Sequence, residues 1–174
     1  MNLPMKSHLG FSMIEVLITL LLVCIGVLGM VALQGKTIAY TQDSAQRNVA
    51  ATLANDLIEL MRAKPDGLPA ASGFYKARAA AFPAKPDSCT PLPDTESAQL
   101  ACWADRAKVA LPGASELFAS EFYICRSLSS GNCTAEGSAV EIQLAWRVRA
   151  GECLDAAAET DDSTICRYRL RSQL

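Results

Sequence analysis

The chain opens with a continuous apolar segment. Residues 11–33 contain one charged residue, Glu15. As a helix rising about 1.5 Å per residue, this segment would extend roughly 34 Å, enough to cross the hydrocarbon core of a membrane. An ordinary secretory signal has a shorter apolar run with its cleavage site behind it. Here the plausible processing residue, Gly10, precedes the run, so we expect the segment to stay with the mature protein.

Residues 34–64 carry a second pattern, that of an amphipathic helix. No proline interrupts the chain from position 11 to 64, and Pro-Asp-Gly follows at position 65. Apolar side chains recur at helical spacing, at Val49, Leu53, Leu57, Leu60 and Met61. One apolar stripe of this kind is buried against another element. We therefore expect a single helix over residues 11–64 whose second half packs on the rest of the protein.

Residues 65–174 predict a small α+β head. Residues 65–96 are rich in Pro, Ala, Ser and Asp and are typical of an extended connection. Apolar positions between Leu100 and Leu111 predict a helix, and the alternation in residues 140–148 predicts a half-buried strand. Residues 121–128 and 166–171 are further candidate strands. The predicted fold is a long helix packed on a small antiparallel sheet.

Seven cysteines add a constraint. One, Cys24, lies inside the apolar run, and the other six follow it: Cys89, Cys102, Cys125, Cys133, Cys153 and Cys166. An even set outside a membrane segment indicates disulfides in an oxidising compartment, whereas metal sites built from thiolates usually need C-x-x-C spacing, which is absent. Six cysteines allow 15 connectivities. We expect sequential pairing, 89–102, 125–133 and 153–166, because short loops lose the least entropy on closing.

Composition argues against several function classes. The net charge of −2 and the pI of about 5.4 do not call for nucleic acid or an acidic substrate. The only histidine, His8, precedes the expected cleavage point, so the mature chain has no imidazole for a catalytic relay or a metal. Glycine-rich nucleotide-binding motifs are missing as well. We expect no enzymatic activity, no catalytic residues, no metal and no cofactor.

Glu15 is the unusual residue of the apolar segment. A carboxylate inside a spanning helix is costly unless it reaches water, stays protonated or meets a positive charge. Cleavage after Gly10 would create an amine on Phe11. One helical turn is too short for that amine and Glu15 of the same chain to satisfy each other easily. From the residues alone two interpretations stay open: Glu15 reaches water or stays protonated near the membrane surface, or it pairs with the amine of a neighbouring subunit and sets the register between subunits. We expect the second.

The sequence from Gly10 to Leu17, Gly-Phe-Ser-Met-Ile-Glu-Val-Leu, resembles the prepilin signature of type IV pilins and type II secretion pseudopilins. The resemblance covers roughly residues 6–35. It implies that a prepilin peptidase removes the leader 1–10 by cutting between Gly10 and Phe11, that Phe11 is N-methylated, and that Glu15 is the glutamate at mature position five. The leader is weakly basic, with only Lys6 and His8, and the helix lacks the proline of many major pilins.

Beyond the signature, the helix and the cysteine-bearing C-terminal part resemble PilV-type minor pilins. This resemblance implies a single-pass protein of the inner membrane with residues 11–33 in the bilayer, residues 34–64 in the periplasm and a periplasmic head at 65–174. Its partners would be other minor pilins and the major pilin, in a complex that primes or caps a surface pilus and supports twitching motility and adhesion. The alternatives are a type II secretion pseudopilin, a DNA-uptake pilin and a membrane-anchored periplasmic enzyme.

Five arginines form a last candidate feature. They are Arg147, Arg149, Arg167, Arg169 and Arg171. If the two predicted strands that carry them are neighbours, one sheet face is basic. The simpler interpretation is a solvated face that protects the sheet from aggregation. A contact with an acidic partner subunit is the alternative hypothesis, and nucleic acid is not expected.

Overall fold

The computed structural model describes residues 12–64, 70–154 and 162–173. The chain divides into two compact units, Met1–Ala39 and Tyr40–Leu174. Helix α1, Met13–Arg62, passes through the boundary between them. Its bounds agree with the single helix that the sequence predicts over residues 11–64.

The first unit contributes the apolar half of α1. Every described residue from 12 to 38 is exposed within the chain. The most apolar 18-residue window has a mean hydropathy of 3.0 and none of it is buried. The helix is thus long and apolar enough to cross a membrane. Hydroxyl groups in it are satisfied locally, since Thr19 donates to the Val16 carbonyl and Thr37 to that of Leu33.

The second unit is the α+β head together with the remainder of α1. Its other elements are α2 (Glu96–Ala110), α3 (Ala114–Leu117), β1 (Tyr123–Ser129), β2 (Asn132–Cys133), β3 (Ala139–Arg147) and β4 (Ile165–Ser172). The strands form one antiparallel sheet in the order β2-β1-β3-β4. The fold class that the sequence predicts, a long helix packed on a small antiparallel sheet, is confirmed.

The apolar stripe of α1 packs into the core between helix and sheet. Its buried apolar members are Ala50, Leu53, Ala54, Leu57, Ile58 and Met61. The β3 side chains that face it are Val140, Ile142, Leu144 and Trp146. Helix α2 also contributes to this core, and Trp103 Nε1 donates to the Leu53 carbonyl of α1 at 2.8 Å. Both tryptophans of the chain are therefore core residues.

Strand β3 differs from the half-buried strand that its alternation predicts. All of its residues except Arg147 are buried, including the polar Glu141 and Gln143. These two lie on the sheet face away from α1, here called the outer face. The register places them opposite Arg171 and Arg169 of β4. The alternation correctly predicts which residues of β3 point to which face of the sheet. It does not reveal that long side chains of neighbouring strands cover the polar outer face.

Three disulfides join Cys89 to Cys102, Cys125 to Cys133, and Cys153 to Cys166. These are the pairs of the sequential connectivity. Their sequence separations of 13, 8 and 13 residues close short loops. Each such bond adds about 2–4 kcal/mol by restricting the unfolded chain. The remaining cysteine, Cys24, is exposed in the apolar half of α1.

The connection between α1 and α2 has little regular structure in its described part, residues 70–95. One isolated bridge pairs Lys76 with Ile124, in the part of β1 that β2 does not reach. Lys76 is buried there. Its ammonium group donates to the Phe122 carbonyl at 2.7 Å and lies 5.1 Å from the centre of the Phe82 ring. Burial lowers the pKa of Lys76 to about 8 because the charged form loses its hydration.

Candidate functional site

The N-terminal end of α1 holds the first candidate site. Ser12 precedes the helix, and its carbonyl accepts hydrogen bonds from the backbone amides of Glu15 and Val16. Glu15 is exposed in the first turn. A carboxylate at this position also interacts favourably with the positive end of the helix dipole. Gly10 and Phe11, the expected cleavage and methylation sites, lie outside the described residues.

Glu15 is the only charged residue between positions 12 and 35. It is surrounded by apolar side chains that the rest of the chain does not cover: the large hydrophobic residues from Met13 to Leu33 are between 49% and 85% exposed. Such a surface far exceeds the apolar patches of soluble monomers. It needs a bilayer or other helices around it, and in either setting a lone carboxylate needs a cation, water or a proton.

The arginines of β4 lie together on the outer face, as the alternation predicts, but they make contacts within the head. Arg167 pairs with Glu121 at 2.7 Å, and both side chains are nearly buried. Arg169 donates to Gln143 Oε1 at 2.5 Å. Arg171 donates to the Ser127 and Leu128 carbonyls at the end of β1.

The two other arginines of the predicted face lie at the end of β3. Arg147 pairs with Glu116 of α3 at 3.1 Å and lies 3.8 Å from Asp162. Arg149 follows the strand and is exposed. The structure thus brings four of the five arginines onto one face and gives each of these four a contact within the head. Whether a partner subunit uses this face stays a hypothesis.

A buried polar cluster under the outer face was missed by sequence reasoning. Glu141 is fully buried and accepts hydrogen bonds from the Tyr123 hydroxyl at 2.6 Å, the Ser127 hydroxyl at 2.8 Å and the Gly131 amide at 2.7 Å. Burial, together with the bond to Glu141, raises the pKa of Tyr123 to about 12. The single hydroxyl proton of Ser127 is shared with the Ser129 carbonyl, which lies 2.6 Å from the same oxygen. The cluster connects β1, β3 and the turn before β2.

A second unpredicted polar contact joins α1 to the C-terminal part of the head. Asp43 lies on α1 and is 1% exposed. One of its oxygens accepts from Trp146 Nε1 at 3.0 Å. The other accepts from Arg47 Nε at 3.0 Å and from the backbone amide of Leu154 at 2.9 Å. Leu154 directly follows Cys153, so Asp43 attaches the start of the last disulfide loop to the helix.

The described residues contain no group of three or more His, Cys, Asp and Glu side chains placed to hold a metal ion. The chemistry that the head displays is hydrogen bonding, ion pairing and disulfide cross-linking. The candidate site is therefore taken to be Glu15 together with the exposed apolar half of α1.

In comparisons with known proteins, no family model, no curated protein and no solved structure matches the chain.

Proposed function

We propose that the protein is a minor pilin of the PilV type, a subunit of a type IV pilus. The leader 1–10 is removed by a prepilin peptidase, Phe11 is N-methylated, and residues 11–33 anchor the protein in the inner membrane with the head in the periplasm. Assembled with other minor pilins and the major pilin, it primes or caps the pilus and supports twitching motility and adhesion.

One observation carries the proposal: the first half of α1 is an exposed apolar segment whose only charge, Glu15, lies in the first turn. A membrane anchor alone needs no carboxylate there, and burial in lipid makes one costly. When such a helix moves from the bilayer into a filament of similar helices, the carboxylate can stabilise the filament. The carboxylate of one subunit can neutralise the terminal amine of the next in an apolar surrounding, where the attraction is strong.

The contacts of the arginines in the head favour a role in assembly rather than in binding phosphate or DNA. Arg147, Arg167, Arg169 and Arg171 already bond to oxygen atoms of the head itself. Binding phosphate through them would first require breaking these contacts. The three disulfides stabilise a small domain that has to persist outside the cytoplasm.

Two measurements in the native host test the proposal. Mass spectrometry of the membrane-bound protein should find an N-terminus at methylated Phe11. For Glu15→Gln, which keeps the shape of the side chain and removes its charge, processing should be normal while the amount recovered in sheared surface filaments falls. Thr19→Ala is the matched control, because its hydroxyl bonds only to its own helix, and it should be incorporated normally.

A protein that still begins with Met1 would rule out the filament proposal and favour an uncleaved anchor. Normal incorporation of the Glu15→Gln variant would contradict the register argument. Deletion of the gene should remove or reduce surface pili. Intact pili combined with a loss of protein secretion would instead identify a type II secretion pseudopilin.

A further inference from the structure

The head has two ends along α1, and hydrogen bonds show which residues lie at each. At one end, Asp43 accepts from Trp146 Nε1 at 3.0 Å and from the Leu154 amide at 2.9 Å. At the other, a terminal nitrogen of Arg62 donates to the Ser172 hydroxyl at 3.4 Å. The helix advances about 28 Å between these two positions. They are called the Asp43 end and the Arg62 end below.

The chain enters the head at the Asp43 end. The head begins at Tyr40, and the apolar run of the preceding unit ends at Leu33. From Leu33 to Tyr40 the helix advances about 10 Å. The headgroup region extends about 5–8 Å beyond the hydrocarbon core on each side of a membrane. A bilayer that takes up residues 11–33 therefore has its headgroups close to Tyr40, and tilt of the helix brings them closer.

Two large hydrophobic side chains are exposed at this end. Tyr40 precedes Asp43 by about one helical turn and is 43% exposed. Leu154 is 46% exposed, although its amide is bound to Asp43. Both side chains lie outside the buried core of the head. Tyrosine is enriched at the headgroup level of membranes, because its ring is apolar and its hydroxyl stays in contact with water.

The charges at the Asp43 end favour an apolar contact over an electrostatic one. Arg149 follows β3 and is exposed, but Asp162 is exposed as well and lies 3.8 Å from Arg147. Cations and anions are thus mixed, and they form no single-sign patch of the kind that binds anionic headgroups. The exposed apolar side chains are what this end offers to a partner, and the headgroup region is the partner that the chain itself brings nearest.

We propose that Tyr40 and Leu154 form a lipid-contact surface on the head. Their side chains enter the headgroup region of the periplasmic leaflet and hold the Asp43 end against the bilayer before assembly. This inference rests on the membrane anchoring in the proposed function and extends it, because lipid then binds the head as well as the apolar half of α1. A subunit that enters a filament has to break this contact.

The test places the mature full-length protein in phosphatidylcholine nanodiscs, one copy per disc. It measures quenching of tryptophan emission by lipids that carry a nitroxide on the headgroup. Leu154→Trp should be quenched severalfold more strongly than Leu128→Trp. Leu128 is the matched control, because it is 54% exposed and its carbonyl accepts from Arg171 at the Arg62 end. The emission of the unsubstituted protein is subtracted from each signal.

A second substitution separates binding from mere proximity. Tyr40→Ser, introduced together with Leu154→Trp, should lower the quenching at position 154, because half of the proposed contact is lost. Unchanged quenching would show that the anchor alone brings the head near the lipid, and it would overturn the proposal. Equal quenching at positions 154 and 128 would overturn it too. If position 154 is not quenched in discs but its emission shifts to shorter wavelength in filaments, the surface binds a neighbouring subunit instead of lipid.

A further variant keeps this inference distinct from the proposed function. Leu20 lies near the middle of the apolar run and is 61% exposed. Leu20→Trp should be quenched by lipids brominated in their acyl chains. Absence of that signal would contradict the membrane anchoring itself. Its presence without quenching at position 154 would refute the lipid-contact surface alone.

Discussion

Replacement of Asp43 by alanine should destabilise the head more than any single surface change. The carboxylate is 1% exposed and accepts three hydrogen bonds, from Trp146 Nε1, Arg47 Nε and the Leu154 amide. Alanine removes all three acceptor contacts together. It leaves a fully buried indole N–H and a largely covered guanidinium group without this acceptor.

The expected loss follows from the burial of these donors. Removing one partner of a buried ion pair costs about 3–5 kcal/mol, because the other charge stays in a poorly solvated position. An unsatisfied buried donor alone costs about 1–3 kcal/mol. We expect Asp43→Ala to lower the free energy of unfolding by about 4 kcal/mol, a large part of the 5–15 kcal/mol typical of a whole domain. Asp43→Asn keeps one acceptor oxygen and should lose about 2–3 kcal/mol.

Urea unfolding of the full-length protein in nonionic micelles, followed by tryptophan fluorescence, measures this loss. Trp103 and Trp146 are both fully buried, so unfolding of the head should shift their emission to longer wavelength. Asp56→Ala is the matched control on the same helix. Asp56 forms an exposed ion pair with Arg106, and its loss should cost less than about 1 kcal/mol.

A double-mutant cycle separates the hydrogen bond between Asp43 and the Trp146 indole from the other two contacts of Asp43. Trp146→Phe removes the donor, so Asp43→Ala should cost less in that background, by about 1–2 kcal/mol. Hydrogen exchange at the Leu154 amide should also accelerate in Asp43→Ala. The reasoning fails if Asp43→Ala and Asp56→Ala lose similar stability, or if the cycle shows no coupling.

Two further perturbations have defined outcomes. Lys76 has its pKa lowered to about 8 by burial, so between pH 8 and 10.5 the unfolded chain binds more protons and the stability of the native state rises with pH. Lys76→Met should remove a slope of about 1 kcal/mol per pH unit in that window; an unchanged slope in urea titrations would contradict the assignment. Gly137→Ala would place its Cβ against the Ser127 backbone and should cost about 2–3 kcal/mol, whereas Gly151→Ala, in open space at a φ of +79°, should cost about 1. Thermal unfolding measures the stability of both variants. Equal losses of stability would show that the contact with the Ser127 backbone does not cause the larger effect expected for Gly137→Ala.

Local signals were sufficient for much of the fold. The proline-free stretch with helical spacing predicted α1 within two residues at each end, and alternation located β3 and β4. The cysteine pairing followed from loop length, since each partner is the next cysteine along the chain. These features depend on neighbours in sequence, which is the information that a pattern contains.

The burial of polar groups could not be predicted in the same way. Asp43 lies on a helix whose apolar stripe was read from Val49 onward, and nothing near it in sequence shows that Trp146 and Leu154 reach it. Glu141 and Gln143 alternate with apolar residues and look solvated. They are buried because β4 places its arginines beside them and Tyr123 lies next to them on β1.

The sequence alone determined the features of the N-terminal segment: an apolar helix, one carboxylate in its first turn and a prepilin-like motif at its start. These are properties of consecutive residues and need no partner from elsewhere in the chain. Only the tertiary structure decided which polar side chains are buried and which arginines of the head contact other residues of the head. Those outcomes depend on contacts between residues up to 111 positions apart, and the register of the sheet and its packing on α1 bring such residues together.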